Sequence, residues 1–184
     1  MRLMKAMAMA IGLGAAAIGV GCSSTDGMSR HDVTVALAPE LTAPGSTTPS
    51  VRVDIVAVNP TEAARWESYS MSEYWSRPDS LRAGADRHEM AFAPGNTEPK
   101  TLKKSDPIWN TWGGPDASKR SGMQLFILAD LPGSHQDLPG GQDDRRVVLP
   151  LDRSRWDGEE PIRITVLPTR LKSEASPKPP KPAK

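Results

Sequence analysis

The chain has 184 residues, with 23 Lys+Arg against 22 Asp+Glu and five tryptophans. A balance so close to neutral argues against nucleic acid or another polyanion as the main partner, since such binders carry a clustered basic excess. The length fits one domain, and a single cysteine leaves no intramolecular disulfide to stabilise it.

The first element is an address. Arg2 and Lys5 precede an uncharged run over residues 6–21, the layout of a signal peptide. A membrane-spanning helix needs about 20 predominantly apolar residues. This run is shorter, rich in Gly and Ala, and breaks into Ser23-Ser24-Thr25-Asp26-Gly27. Residues 1–21 are therefore expected to be removed, which takes Arg2 and Lys5 away and leaves 21 Lys+Arg against 22 Asp+Glu. The stretch Ile18-Gly19-Val20-Gly21-Cys22 resembles the lipobox of bacterial lipoproteins, with Gly21 as the small residue before the cysteine. That resemblance implies lipid on Cys22. Ser23 stands where Asp would resemble an inner-membrane retention signal, so an outer-membrane lipoprotein facing the periplasm is expected. More than one acyl chain gives durable attachment at about 0.8 kcal/mol per buried methylene.

Residues 22–30 are small and polar and read as a lipidated flexible tether. A single domain is predicted over residues 31–171. Its first strand is predicted over residues 32–37, with Val33, Val35 and Leu37 on one face. A polar loop rich in Pro, Gly, Ser and Thr follows. Residues 50–58 form the second predicted strand, with Val51, Val53 and Ile55 inward and Arg52 and Asp54 outward; Asn59-Pro60 ends it. Short helical pieces are predicted at residues 61–67 and 71–75, then strands at 89–93 and around 101–103. Residues 123–129 are apolar at nearly every position, as in a strand covered on both faces. Residues 131–144 read as a Gly/Pro/Asp-rich loop, and two strands follow at 146–151 and 161–167. The Pro/Lys tail over residues 172–184 carries no apolar side chain beyond alanine, and it is expected to be disordered or polyproline-like. Short strands joined by Pro/Gly turns, with no alternating βαβ order, favour an all-β sandwich with short helical insertions.

The sequence offers little to an enzyme. His31, His88 and His135 are far apart and the second His of a zinc-protease motif would fall on Phe92. All three histidines are expected at the surface, with no metal and no cofactor. Gly133-Ser134-His135-Gln136-Asp137 reads as a solvated turn, because catalytic triads converge from distant segments. Gly140-Gly141-Gln142-Asp143-Asp144 lacks the alternating ligands and distal Glu of a calcium loop. The aromatic residues are more telling, clustering as Trp66, Tyr69, Tyr74 and Trp75 and then Trp109 and Trp112. They read first as rings capping the ends of a small sandwich. The alternative is a carbohydrate or cell-wall binding surface made by Tyr74, Trp75, Trp109 and Trp112.

The order of these elements resembles one family, the outer-membrane lipoproteins of type VI secretion systems, small transthyretin-like β-sandwiches. The resemblance is carried by the lipidated cysteine and tether, Val33-Thr34-Val35-Ala36-Leu37, Val51-Arg52-Val53-Asp54-Ile55, the aromatic insert from Trp66 to Trp75, Pro94-Gly95, Leu125-Phe126-Ile127-Leu128-Ala129-Asp130, and Trp156 before Ile162-Arg163-Ile164-Thr165-Val166. Asp54-Ile55-Val56 departs from the Tyr-x-Leu of that family, and residues 105–120 and the tail have no counterpart in it. What the resemblance implies is docking rather than catalysis, to an envelope protein partner. The loop between the first two strands, residues 38–49, would make the contact through Leu41, Thr42, Pro44, Ser46 and Thr47.

Overall fold

The computed structural model describes residues 27–43, 48–76, 78–116, 120–133 and 135–180. The leader and Cys22 lie outside the described residues, as do Pro44, Ser46 and Thr47. Alternation of apolar and polar side chains lays down the first two strands where it predicts them, β1 over Val33–Leu37 and β2 over Val51–Val58. They are separated by one helical turn, α1 (Pro39–Thr42). Three short helices follow, α2 (Pro60–Ser68), α3 (Met71–Trp75) and α4 (Ser80–Gly84). Each starts on a side chain that accepts hydrogen bonds from the first turn: Asn59 from the amides of Thr61 and Glu62, Ser70 from Glu73 N, Asp79 from Arg82 N. Strands β3 (His88–Phe92) and β4 (Lys100–Leu102), helix α5 (Ile108–Gly113), and strands β5 (Gln124–Asp130), β6 (Arg146–Pro150), β7 (Ile162–Val166) and β8 (Leu171–Ser173) complete the chain.

The strands form two four-stranded sheets in the orders β4-β1-β7-β8 and β3-β2-β5-β6. All neighbours pair antiparallel except β1 and β7, which run parallel from Val33↔Ile162 to Leu37↔Val166. This is a small all-β sandwich with short helical insertions. The inward faces meet in one core that includes Val33, Val35, Val53, Ile55, Leu125, Ile127, Ile162 and Ile164. The rings of Trp109 and Trp112 close this core from α5.

The outward face of the second sheet is covered too. Val56, Val58, Phe126 and Leu128 pack under Trp66, Met71, Tyr74 and Leu81 of the helical insert. Both faces of β5 are thus buried, as its unbroken apolar run predicts. The same cover changes the reading of Asp54, which points outward as predicted but is fully buried.

Two boundaries and one burial differ from the sequence reading. Residues 27–30, expected as flexible tether, pack on the fold: Met28 is buried and bridges to Asp152, and Ser29 N donates to Leu151 O at 2.6 Å. The tail expected from Lys172 begins inside β8, and Lys178 N still donates to Arg155 O at 2.7 Å. His31, expected at the surface, is fully buried, because the N-terminal segment is zipped onto the β6–β7 connection.

The registers give the sandwich two distinct ends. The N-terminal segment, the β6–β7 connection and the residues after β8 gather at the end where β1 begins, called the basal end. The β1–β2 connection and the β3–β4, β5–β6 and β7–β8 connections lie at the opposite, distal end. Five residues of β1 separate the two, about 17 Å at the rise of a strand.

Candidate docking surface

The β1–β2 connection is anchored at both margins. Ala38 N donates to Val166 O at 2.9 Å, Pro39 begins α1, and Leu41 turns its side chain into the core. Burial removes Leu41 from the candidate contact residues: it holds the loop and is not presented by it. Thr42 is exposed and donates from its hydroxyl to Pro39 O at 3.4 Å, while Thr48 Oγ1 donates to Leu41 O at 3.0 Å.

Where this connection joins β2, Arg52 forms a half-exposed ion pair with Asp130 of β5 at 2.5 Å. The Arg52 guanidinium also lies 5.1 Å from the centre of the Trp75 ring, and that of Arg82 lies 4.9 Å from it. Cation–π contacts of this kind contribute about 0.5–1 kcal/mol each at exposed sites. Helix α3 is fastened in this way to the distal end of the second sheet.

The β5–β6 loop at this end is held by charge. The Asp137 carboxylate accepts from Ser70 Oγ at 2.7 Å, Ser72 N at 3.0 Å, Ser72 Oγ at 3.1 Å and Arg145 Nη2 at 2.5 Å. Burial opposes its charge, but the hydrogen bonds from Ser70, Ser72 and Arg145 outweigh that and hold the carboxyl well below the usual range. Asp143, nearly inaccessible, accepts from the Arg145 backbone and guanidinium and from Leu138 N. Burial again opposes the charge there and the Arg145 bonds dominate, so its carboxyl is lowered as well. These two aspartates are loop staples. The four bonds to Asp137 come from Ser and Arg, and His135 Nε2 instead meets Pro132 O at 3.1 Å, so the Ser-His-Asp string forms no relay between those two residues. Ser134 lies outside the described residues.

Under the insert, Asp54 accepts from Tyr74 Oη at 2.9 Å and Arg82 Nε at 2.8 Å, with Arg87 Nε at 3.4 Å. Burial first, then the Asp54 charge, raises the Tyr74 phenol far above its ordinary value, so it stays a donor. Arg146 is buried beside this cluster and donates to the carbonyls of Trp66, Glu67 and Tyr69, satisfying the end of α2. Among the described residues no group of three His, Cys, Asp or Glu side chains is placed to hold a metal ion.

The aromatic surface weighed as the alternative is not assembled. Tyr74, Trp109 and Trp112 are buried, and their polar atoms are spent inward: Tyr74 on Asp54, Trp109 Nε1 on Lys103 O at 2.9 Å, and Trp112 Nε1 on Asp86 O at 2.8 Å. Trp109 and Trp112 meet edge to face at 5.0 Å inside the main core, whereas Tyr74 and Trp75 meet at 5.1 Å in the cluster on the other side of the second sheet. A stacking platform needs free ring faces on one surface, and packing against opposite sides of a sheet prevents that. Core, not ligand, is what these rings serve. Residues that the sequence reading missed are Asp54, Arg82, Arg145 and Arg146; the helix-cap signals Asn59-Pro60, Ser70-x-x-Glu73 and Asp79 could have located the insert that buries them.

No protein-family model and no curated protein matches the chain. Among solved structures it is similar to a type VI secretion structure described as the TssM C-terminal domain from EAEC, at 14% identity and TM-score 0.49, covering 78% of this chain and 98% of that one. It is similar to Serratia marcescens Lip, a membrane-bound component of the type VI secretion system, at 12% identity and TM-score 0.46, covering 80% and 98%. It is also similar to the type VI secretion lipoprotein TssJ1 from Pseudomonas aeruginosa, at 15% identity and TM-score 0.44, covering 83% and 99%.

Proposed function

We propose that this chain is a lipid-anchored docking component of a bacterial envelope assembly of the type VI secretion kind. Lipid on Cys22 holds its basal end at the outer membrane, and the β1–β2 connection meets a protein partner in the periplasm. The observation that carries the reading is the polarity of the sandwich. Chain that follows Cys22 joins the fold at the basal end, and β1 then runs the height of the domain to the candidate loop. A loop so placed faces away from the membrane, where an envelope-spanning partner can reach it. The chemistry of the described residues fits this role, since buried charges are ion-paired or hydrogen-bonded within the fold and serve to fasten loops and helices.

Two variants test it in cells that carry an envelope-spanning secretion subunit. Cys22→Ala should move the protein from the membrane to the soluble periplasmic fraction. Deleting residues 42–48 should abolish capture of that subunit while the melting temperature changes little, because the deletion spares Leu41 and loses two described side-chain hydrogen bonds at the loop margin, from Thr42 and Thr48, about 0.5 kcal/mol each at the low end of the range for such bonds. Full capture by the deletion variant would refute the docking assignment, and membrane retention of Cys22→Ala would refute the anchor.

A further inference from the structure

The N-terminal segment, residues 27–32, is a strap of specific bonds. Arg153 N donates to Gly27 O at 2.9 Å, Met28 bridges to Asp152, Ser29 N donates to Leu151 O, Arg30 Nη2 donates to Asn110 Oδ1 at 2.8 Å, and Ile162 N donates to Asp32 O at 2.8 Å. His31 sits at its centre. Its ring is fully buried, lies 4.4 Å from the Trp156 ring, and pairs through Nδ1 with Glu160 O at 2.8 Å. A carbonyl only accepts, so the proton is on Nδ1 and the lone pair is on Nε2. That nitrogen is buried and meets no hydrogen-bond partner among the described residues.

The strap governs reach. Gly27 lies five positions beyond Cys22, and Val33, the first residue of β1, lies eleven beyond it. At no more than about 3.6 Å per residue these span at most about 18 Å and about 40 Å. We propose that the strap is a releasable spacer: closed, it keeps the basal end within about 18 Å of the lipid on Cys22, and protonation of His31 opens it and more than doubles that reach. The inference rests on the lipid anchor proposed above for the reach, and on the His31 geometry alone for the latch.

The reason is the fate of a second ring proton. It would appear on Nε2 in a buried space with no acceptor, and an unmatched buried N–H⁺ is far costlier than an unmatched lone pair. Burial lowers the pKa of His31, opposed by the Glu160 carbonyl and by the nearby charges of Glu159 and Glu160. The other charged groups in and around the strap are Arg30, Asp32 paired with Lys103, Lys104 bound to Glu159, Asp152, Arg153, Arg155, Asp157 paired with Lys178, and Arg163 and Glu174 beside Trp156. A histidine whose folded pKa is depressed contributes stability that is present in full above its unfolded value of 6.5. That contribution is lost as pH falls through the depressed value.

The test uses the lipidated full chain in vesicles of phosphatidylethanolamine and phosphatidylglycerol, followed by hydrogen exchange at about pH 7.5 and about pH 5. The amides of Ser29 and Arg153 should lose at least about tenfold protection at the lower pH, while that of Ile164 in β7 keeps its own. His31→Phe keeps an aromatic ring against Trp156 without a titrating group, and its strap protection should not respond to pH. A parallel arm places a dye on the exposed turn of the Glu98→Cys variant and an acceptor on the lipid headgroups. Energy transfer should fall on acidification, and not in the His31→Phe background. Unchanged strap protection in the parent chain, or an equal loss in His31→Phe, overturns the latch. Absence of energy transfer at both pH values overturns the anchor and the reach with it, while the exchange arm still judges the latch.

Discussion

Replacing Asp54 with Ala tests whether charge fastens the helical insert to the second sheet. The carboxylate is fully buried and is shared by the Tyr74 hydroxyl, Arg82 and Arg87. Taking away one side of a buried pair costs about 3–5 kcal/mol, because the remaining charge stays buried. Here Arg82 and Arg87 keep side-chain exposures of 14% and 26%, so water recovers part of their solvation. Tyr74, 1% exposed, has no such outlet. The expected loss is about 3 kcal/mol, toward the lower end of that range, out of a total of about 5–15. In urea the midpoint should fall by about 1–2 M with an unchanged slope. Replacing three of its members together, with Asp54→Leu, Tyr74→Phe and Arg82→Met, leaves Arg87 with Glu89 and the backbone carbonyl of residue 82 and should recover most of the loss, since apolar replacement of a buried ion pair is often neutral. A single-variant loss below about 1 kcal/mol, or a triple variant no more stable than the single, would refute the reasoning.

Two glycines should respond differently to alanine. Both have positive φ, 74° at Gly122 and 82° at Gly158, but an added Cβ at Gly122 would lie 2.7 Å from Pro60 Cγ, whereas Gly158 faces open space. Gly158→Ala should cost only the left-handed strain, about 1–2 kcal/mol, and Gly122→Ala at least about 1 kcal/mol more through displacement of the start of α2; equal melting temperatures would contradict the close approach. Trp109→Ala should cost about 3–5 kcal/mol by leaving a cavity in the core, read by thermal melting, and a variant that melts like the parent would mean the ring is not packed as described.

Much of the architecture is local in origin and therefore legible in the chain. β1, β2 and β7 announce themselves by period two, β5 by an apolar run that only a doubly covered strand can bury, and α2 and α3 by short amphipathic stretches between turn residues. The missed elements are those with too few residues for a period to show. β8 has one buried residue, Leu171, and exists because the edge of β7 offers it a ladder; α5 is six residues long and is held by two tryptophans sunk into the core.

The chemistry of single side chains was decided by what the fold lays over them. Period two places Asp54 on the outer face, but only the packing of α3 and α4 on that face makes it a buried anion with three partners. His31 looks like a surface residue at a domain margin until the strap closes over it, and Leu41 looks like a loop contact until the core takes its side chain. The cluster of aromatic letters held no sign of which side of the sheet each ring would occupy. Periodicity is a property of neighbours along the chain, while burial and partnership are set by residues brought from 20 to 129 positions away, and those contacts exist only once the two sheets have met.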